Sequence, residues 1–98
     1  MKSEHAQAMA ADAANLLTML GNEKRLAILC SILDNEMSVG ALADKVELSQ
    51  SALSQHLAKL RKARLVETRR DRQTIFYTCR SEKVRAIMQA LQDLYAFA

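Results

Sequence analysis

Residues 48–78 read LSQSALSQHLAKLRKARLVETRRDRQTIFYT, and the first half of that stretch decides the fold. Ser49 is a preferred helix N-cap, and the segment from there to about Ala63 is helical in pattern. At about 100° per residue, Leu53, Leu57 and Leu60 share one narrow face, which must be buried. Ser51, Ser54, Gln55 and Lys59 point elsewhere. Gln50 lies near the leucine side but in the first turn, where the helix projects beyond a core. The solvent face is thus mostly short hydroxyls and amides, although Glu and Lys would favour helix more than Ser does. Such a face suits a helix pressed into a nucleic-acid groove. Serine fits close to the backbone, and a glutamine amide can pair with both N6 and N7 of adenine. Backbone N–H groups near Ser49 can hold a phosphate.

Upstream, Glu47-Leu48 reads as a tight turn. Before it, Ser38 caps a short third helix carrying Val39, Leu42, Ala43 and Val46. Downstream, Val66-Glu67-Thr68 and Thr74-Ile75-Phe76-Tyr77-Thr78 are β-branched and aromatic, around the polar tip Arg69-Arg70-Asp71-Arg72-Gln73. Two antiparallel strands with a charged tip are expected. The first helix spans about Ala6 to Leu20 and stops at Gly21. A second, capped by Asn22 with Arg25 three residues on, ends near Asp34-Asn35. A last helix capped by Ser81 carries Val84, Ile87, Met88, Leu91, Leu94 and Tyr95 at 3/4 spacing. The fold class is mainly α with a β-hairpin wing: four helices, a hairpin and a fifth helix, forming one winged helix-turn-helix domain over residues 1–98.

Charge points the same way. Residues 1–58 carry four Lys/Arg against seven Asp/Glu, whereas residues 59–98 carry ten against four. Seven of those ten bases lie between Lys59 and Arg72, so the basic character is local rather than general. A local cluster can be a solvated face or a polyanion site; beside the Ser/Gln helix, the second reading prevails. The wing offers Arg69, Arg70, Arg72 and Gln73 to phosphates or a narrow minor groove. Lys59, Arg61, Lys62 and Arg64 extend the surface, and the sequence does not separate those that face DNA from those that do not. His56, at the border of the two helix faces, is read as a histidine hydrogen-bonded at the rim of the core or to the DNA backbone. A titrating switch is the alternative.

The run from Leu48 to Thr78 resembles the recognition helix and wing of ArsR/SmtB-type repressors. Asn22 to Val46, NEKRLAILCSILDNEMSVGALADKV, resembles the two helices before them. The resemblance implies a bacterial homodimer built from its first and last helices, binding double-stranded DNA at a palindromic operator. The expected DNA contacts are Ser49, Gln50, Ser51, Ser54, Gln55, His56, Lys59, Arg70, Arg72 and Gln73. The expected dimer contacts are Leu16, Leu20, Val84, Ile87, Met88, Leu91, Leu94 and Tyr95, since a stripe of that kind can be covered by its twofold mate.

Many members of that family sense metals through third-helix cysteines or last-helix carboxylate/histidine pairs. Here residues 38–46 hold no Cys or His, the last helix holds no His, and no CxxC or HxxxH spacing occurs. No metal and no cofactor is expected. Persulfide-sensing members pair a second-helix cysteine with one near the end of the last helix. Cys30 matches the first position, but the second falls on Ala96, and Cys79 matches neither. Cys30 is therefore read as a small buried apolar residue, with a single-cysteine oxidation switch as the alternative. No nucleophile elbow or phosphate loop is present, so no enzyme is expected. A winged helix used for protein docking is the remaining rival. There is no signal-peptide pattern and no apolar run near 20 residues, so a cytoplasmic protein, on the nucleoid when bound to DNA, is expected.

Overall fold

The computed structural model describes residues 3–95. Five helices and three strands run in the order α1 (Ser3–Leu20), α2 (Glu23–Ile32), β1 (Glu36–Ser38), α3 (Val39–Val46), α4 (Gln50–Lys62), β2 (Glu67–Asp71), β3 (Thr74–Thr78) and α5 (Glu82–Tyr95). The winged helix-turn-helix order read from the sequence holds.

Helix starts obey the caps read from the sequence. Asn22, Ser38 and Ser49 each adopt extended backbone and accept an N–H three residues on, from Arg25, Ala41 and Ala52. Ser81 accepts the N–H of Val84 at 3.2 Å. Each such cap stabilises by about 0.5–2 kcal/mol. Between α3 and α4, Glu47 takes a left-handed conformation (φ 57°), and its N–H closes the end of α3. Gly21 ends α1 by close approach: a Cβ there would stand 3.0 Å from the Leu17 carbonyl oxygen. Arg25 does something the sequence did not announce. Its side chain, 9% exposed, donates to the Met19 and Thr18 carbonyls at 2.7 and 3.0 Å. It thereby satisfies orphan carbonyls at the end of α1 from the next helix.

The hairpin is one part of a three-stranded antiparallel sheet ordered β1-β3-β2. β1, missing from the sequence reading, pairs Glu36 with Thr78, Met37 with Tyr77 and Ser38 with Phe76. Three residues carry too little periodicity to announce a strand. The second helix stops earlier than expected, at Ile32, because Ile32 and Asp34 exchange backbone bonds with Cys79 instead. β2 and β3 pair as far as Asp71 with Thr74, which leaves Arg72 and Gln73 as a two-residue turn. Arg72 sits at φ 58° there, the positive-φ geometry such turns require.

Ile28, Leu29 and Ile32 of α2, Leu42 of α3, and Leu53, Leu57 and Leu60 of α4 form the core with Cys79 and Val84. The recognition-helix leucines are 0–2% exposed, as their spacing demanded. By contrast, α1 stands off that core. Only Leu20 of its 18 residues is buried. The chain's radius of gyration is 14.8 Å, above the about 13 Å of a compact chain this long.

Candidate nucleic-acid interface

Helix α4 presents Ser51, Ser54, Gln55 and Lys59 to solvent, together with Gln50 in its first turn; all five are exposed. Ser49, the cap, is exposed as well, and its hydroxyl lies 3.3 Å from that of Ser51. The Gln50 amide leans toward the start of α3, where its Nε2 comes within 3.9 Å of where a Cβ on Gly40 would be. Gln50 and Ser51 thus stand in the first turn of α4, Gln50 beside the first turn of α3, with Ser54, Gln55 and Lys59 further along the helix.

Two adjacent wing arginines have opposite fates. Arg69 lies over the Phe76 ring, 4.6 Å from its centroid, and pairs with Glu36 at 2.6 Å. One side chain thus crosses the whole sheet, from β2 over β3 to β1. The bond from Arg69 holds the Glu36 carboxyl below the usual carboxylate range. Arg69, expected among the wing's phosphate contacts, is already engaged. Arg70 projects from the other face, because side chains alternate along a strand. It shares that face with Ile75, its partner in β3, and with Tyr77. Arg70, Arg72 and Gln73 are exposed. Among the described residues, Lys59, Arg61, Lys62, Arg64, Arg70 and Arg72 have no carboxylate within ion-pair distance; of the seven bases in that segment only Arg69 does.

His56 departs from its expected role. Its ring is half-buried, and Nδ1 is buried without a hydrogen-bond partner, so the bond expected at the rim of the core is absent. Burial, with the nearby charges of Arg25 and Lys59, holds its pKa below the usual histidine value.

Exposed apolar side chains gather on α1 and α5 instead. Met9 and Leu17 of α1 are 53% and 58% exposed, and Leu94 and Tyr95 of α5 are 76% and 67% exposed. A groove of about 910 Å³ runs along α1, with Leu16, Met19 and Leu65 in its wall. Two expected dimer contacts are corrected. Leu20 (4%) and Val84 (0%) belong to the core of the chain itself, in one cluster with the buried residues of α2 and α4. Leu16, Ile87 and Met88 are partly buried against the same core, and Leu91 is half-buried. Met9 and Leu17, absent from the expected dimer contacts, take exposed positions on α1. The two-sided spacing of Leu16 and Leu17 was the available signal.

One cysteine also departs from expectation. Cys30, read as buried, is exposed at the surface of α2, its sulfur 3.5 Å from that of Met88. Cys79 is the buried one. Contact with α5 desolvates the Cys30 sulfur although the residue is exposed, and this pushes its thiol pKa up. Among the described residues no three His, Cys, Asp or Glu side chains gather as a metal site, and no helix is long and apolar enough to cross a membrane.

Residues 22–68, from the α2 cap into the wing, match the bacterial regulatory protein, arsR family. The whole chain is 51% identical to the transcriptional activator HlyU of Vibrio cholerae, covering 91% of it. The chain belongs to the arsR family of bacterial regulatory proteins. The nodulation protein NolR of Rhizobium meliloti is 59% identical over 83 residues, which cover 85% of this chain and 68% of NolR. The crystal structure of NolR from Sinorhizobium fredii superposes with a TM-score of 0.88 at 52% identity, over 100% of this chain and 96% of that one. A solution structure of Mb0332 from Mycobacterium bovis, described as a homodimeric winged helix-turn-helix DNA-binding domain, matches with a TM-score of 0.80 at 26% identity, over 97% and 88% of the two chains. This arsR-family chain is a DNA-binding transcriptional regulator and not an enzyme.

Proposed function

We propose that this regulator works as a homodimer that binds a palindromic operator in double-stranded DNA and represses the adjoining promoter. The observation that carries the reading is the set of six cations without carboxylate partners beside a helix whose exposed face is serine and glutamine. Cations left without internal partners favour a polyanion, and the short side chains let α4 approach base edges. Gln50, Ser51, Ser54 and Gln55 would meet the major groove, Ser49 and Lys59 the backbone, and Arg70, Arg72 and Gln73 the flanking strand. His56, half-buried, lies at the margin of this surface.

The exposed apolar residues of α1 and α5 support twofold pairing, with Leu94, Tyr95, Leu91, Met9 and Leu17 at its centre. Mb0332, with the same fold, is described as homodimeric. One domain over residues 1–98, acting on the nucleoid in the cytoplasm, suffices for this role. A dimer seated on a promoter excludes polymerase by its bulk, so repression needs nothing beyond binding. Cys30, exposed on α2 with its thiol pKa raised by desolvation, is assigned no part in this reading.

Selection from a random DNA pool, with sedimentation of the free protein, tests the reading. Recovery of a twofold-symmetric sequence by a dimeric protein is expected. Recovery of no common sequence, with binding insensitive to salt, would overturn it in favour of protein docking. Transcription from a promoter bearing the selected site then tests repression, and a rise in transcript would make the protein an activator.

A further inference from the structure

Between the second half of α4 and β3 lies a cleft of about 380 Å³, lined by Ser54, Leu57, Ala58, Arg61, Lys62 and Tyr77. Leu57, 2% exposed, is its apolar floor. Its other functional groups are two cations and two hydroxyls, with no carboxylate among them. Within the described residues, neither cation has an ion pair and neither hydroxyl a hydrogen bond. Ala58 contributes only a methyl group, so the middle of the cleft stays open. Arg70, outside this lining, shares the sheet face of Tyr77, whereas Arg69 is held on the other.

From this geometry we infer that the cleft between α4 and the wing seats one phosphodiester of the DNA backbone, gripped by Arg61, Lys62 and the Tyr77 hydroxyl. The inference rests on the DNA-binding reading above and assigns to it a site outside the base-reading end of α4. A phosphodiester is a monoanion with two terminal oxygens. A guanidinium fork, an ammonium and neutral hydroxyls supply charge and donors to both. Ser51, Ser54, Ala58 and Lys62 lie on one face of α4 at helical spacing. A strand read by the start of the helix therefore passes over the cleft. A contact there carries no sequence information but fixes the register of helix and wing on the duplex.

The test compares wild type, Arg61→Ala/Lys62→Ala and Tyr77→Phe on a selected operator and on random DNA across a salt series. Both alanines favour helix, so folding should persist, and circular dichroism checks it. The double variant should lose at least tenfold in affinity on both DNAs. Its log–log salt slope should flatten by roughly one per protomer. Tyr77→Phe, which removes a neutral donor, should lose a few-fold with the slope unchanged. Arg80→Ala removes an exposed charge at the base of the sheet and should leave the slope as in wild type. Methylphosphonate replacement, one linkage at a time, should find one linkage per half-site that matters to wild type and not to the double variant.

An unchanged slope and linkage pattern in the double variant, with Gln50→Ala still impaired, would overturn the cleft while leaving base reading intact. Binding of inorganic phosphate at Arg61 and Lys62, with no linkage affected, would assign the cleft to a free anion and overturn the proposal as well. If wild type bound no DNA at low salt, the cleft and the reading beneath it would fall together.

Discussion

The wing side and the α1/α5 side of this molecule are both unfinished, in different ways. On the wing side the core is closed: Leu53, Leu57 and Leu60 are covered, and what is missing is counter-charge. On the α1/α5 side it is apolar surface that stands exposed, at Met9, Leu17 and Leu94 above all. Electrostatic need is long-ranged, weakened by salt and indifferent to exact fit. Apolar need is short-ranged and calls for a shaped partner. A polyanion answers the first and a second copy of the chain the second. One small fold can thus assign its two bindings to faces that differ in physics as well as position.

The largest effect should come from breaking the apolar side. Leu94→Glu places a carboxylate where a partner would bury it, at a cost of several kcal/mol. Because Leu94 is 76% exposed, the single chain should still fold, which makes it a cleaner probe than half-buried Leu91. Sedimentation should show monomers, and operator binding should vanish with the second half-site. A folded, fully dimeric variant would mean that α5 is not the joint.

On the polar side, Gln50→Ala leaves the leucine face intact and should cost about 1–3 kcal/mol per half-site on the preferred operator. The loss should shrink on operators already substituted at the contacted pair. Equal losses at every substituted position would move base reading to other residues of α4.

A smaller effect is expected at the wing tip. Arg72→Gly removes the charge while suiting the positive φ of the turn, so the hairpin should persist. Binding to specific and random DNA should weaken alike, with the salt slope flatter by about one per protomer. A changed base preference at constant slope would show that the tip reads sequence.

The smallest effect concerns what holds the wing in place. Bonds from Arg85 and Arg69 lower the pKa values of Asp34 and Glu36. A carboxyl whose folded pKa is depressed stabilises the fold fully above its unfolded value of about 4 and loses that contribution as pH falls through the lower, folded value. Thermal stability should therefore decline as the medium is acidified below that range. Both carboxyls are solvent-exposed, so the decline should be modest. Glu36→Gln should flatten it; an unchanged acid profile would mean that the Arg69 tether does not fix the wing.

Much of this was legible in the chain. The caps at Asn22, Ser38, Ser49 and Ser81, and the leucine spacing of α4, are relations between residues three or four apart, which local sequence encodes directly. The basic run from Lys59 to Arg72 was equally plain. What lies beyond is pairing across distance. Glu36 and Arg69 are 33 positions apart, and nothing near either distinguishes Arg69 from Arg70. β1 exists because β3 offers it an edge. Cys30, read as buried, came out exposed because burial depends on which side of a helix meets the core. Leu20 and Val84 were drawn inward for the same reason.

The sequence by itself determined where helices start, which face of α4 is apolar and where positive charge gathers, because those properties are set within a turn or two of the chain. Only the tertiary structure decided which arginine was engaged, which cations line a cleft with Tyr77 and which apolar residues were left without cover. Those outcomes depend on segments that meet only after folding.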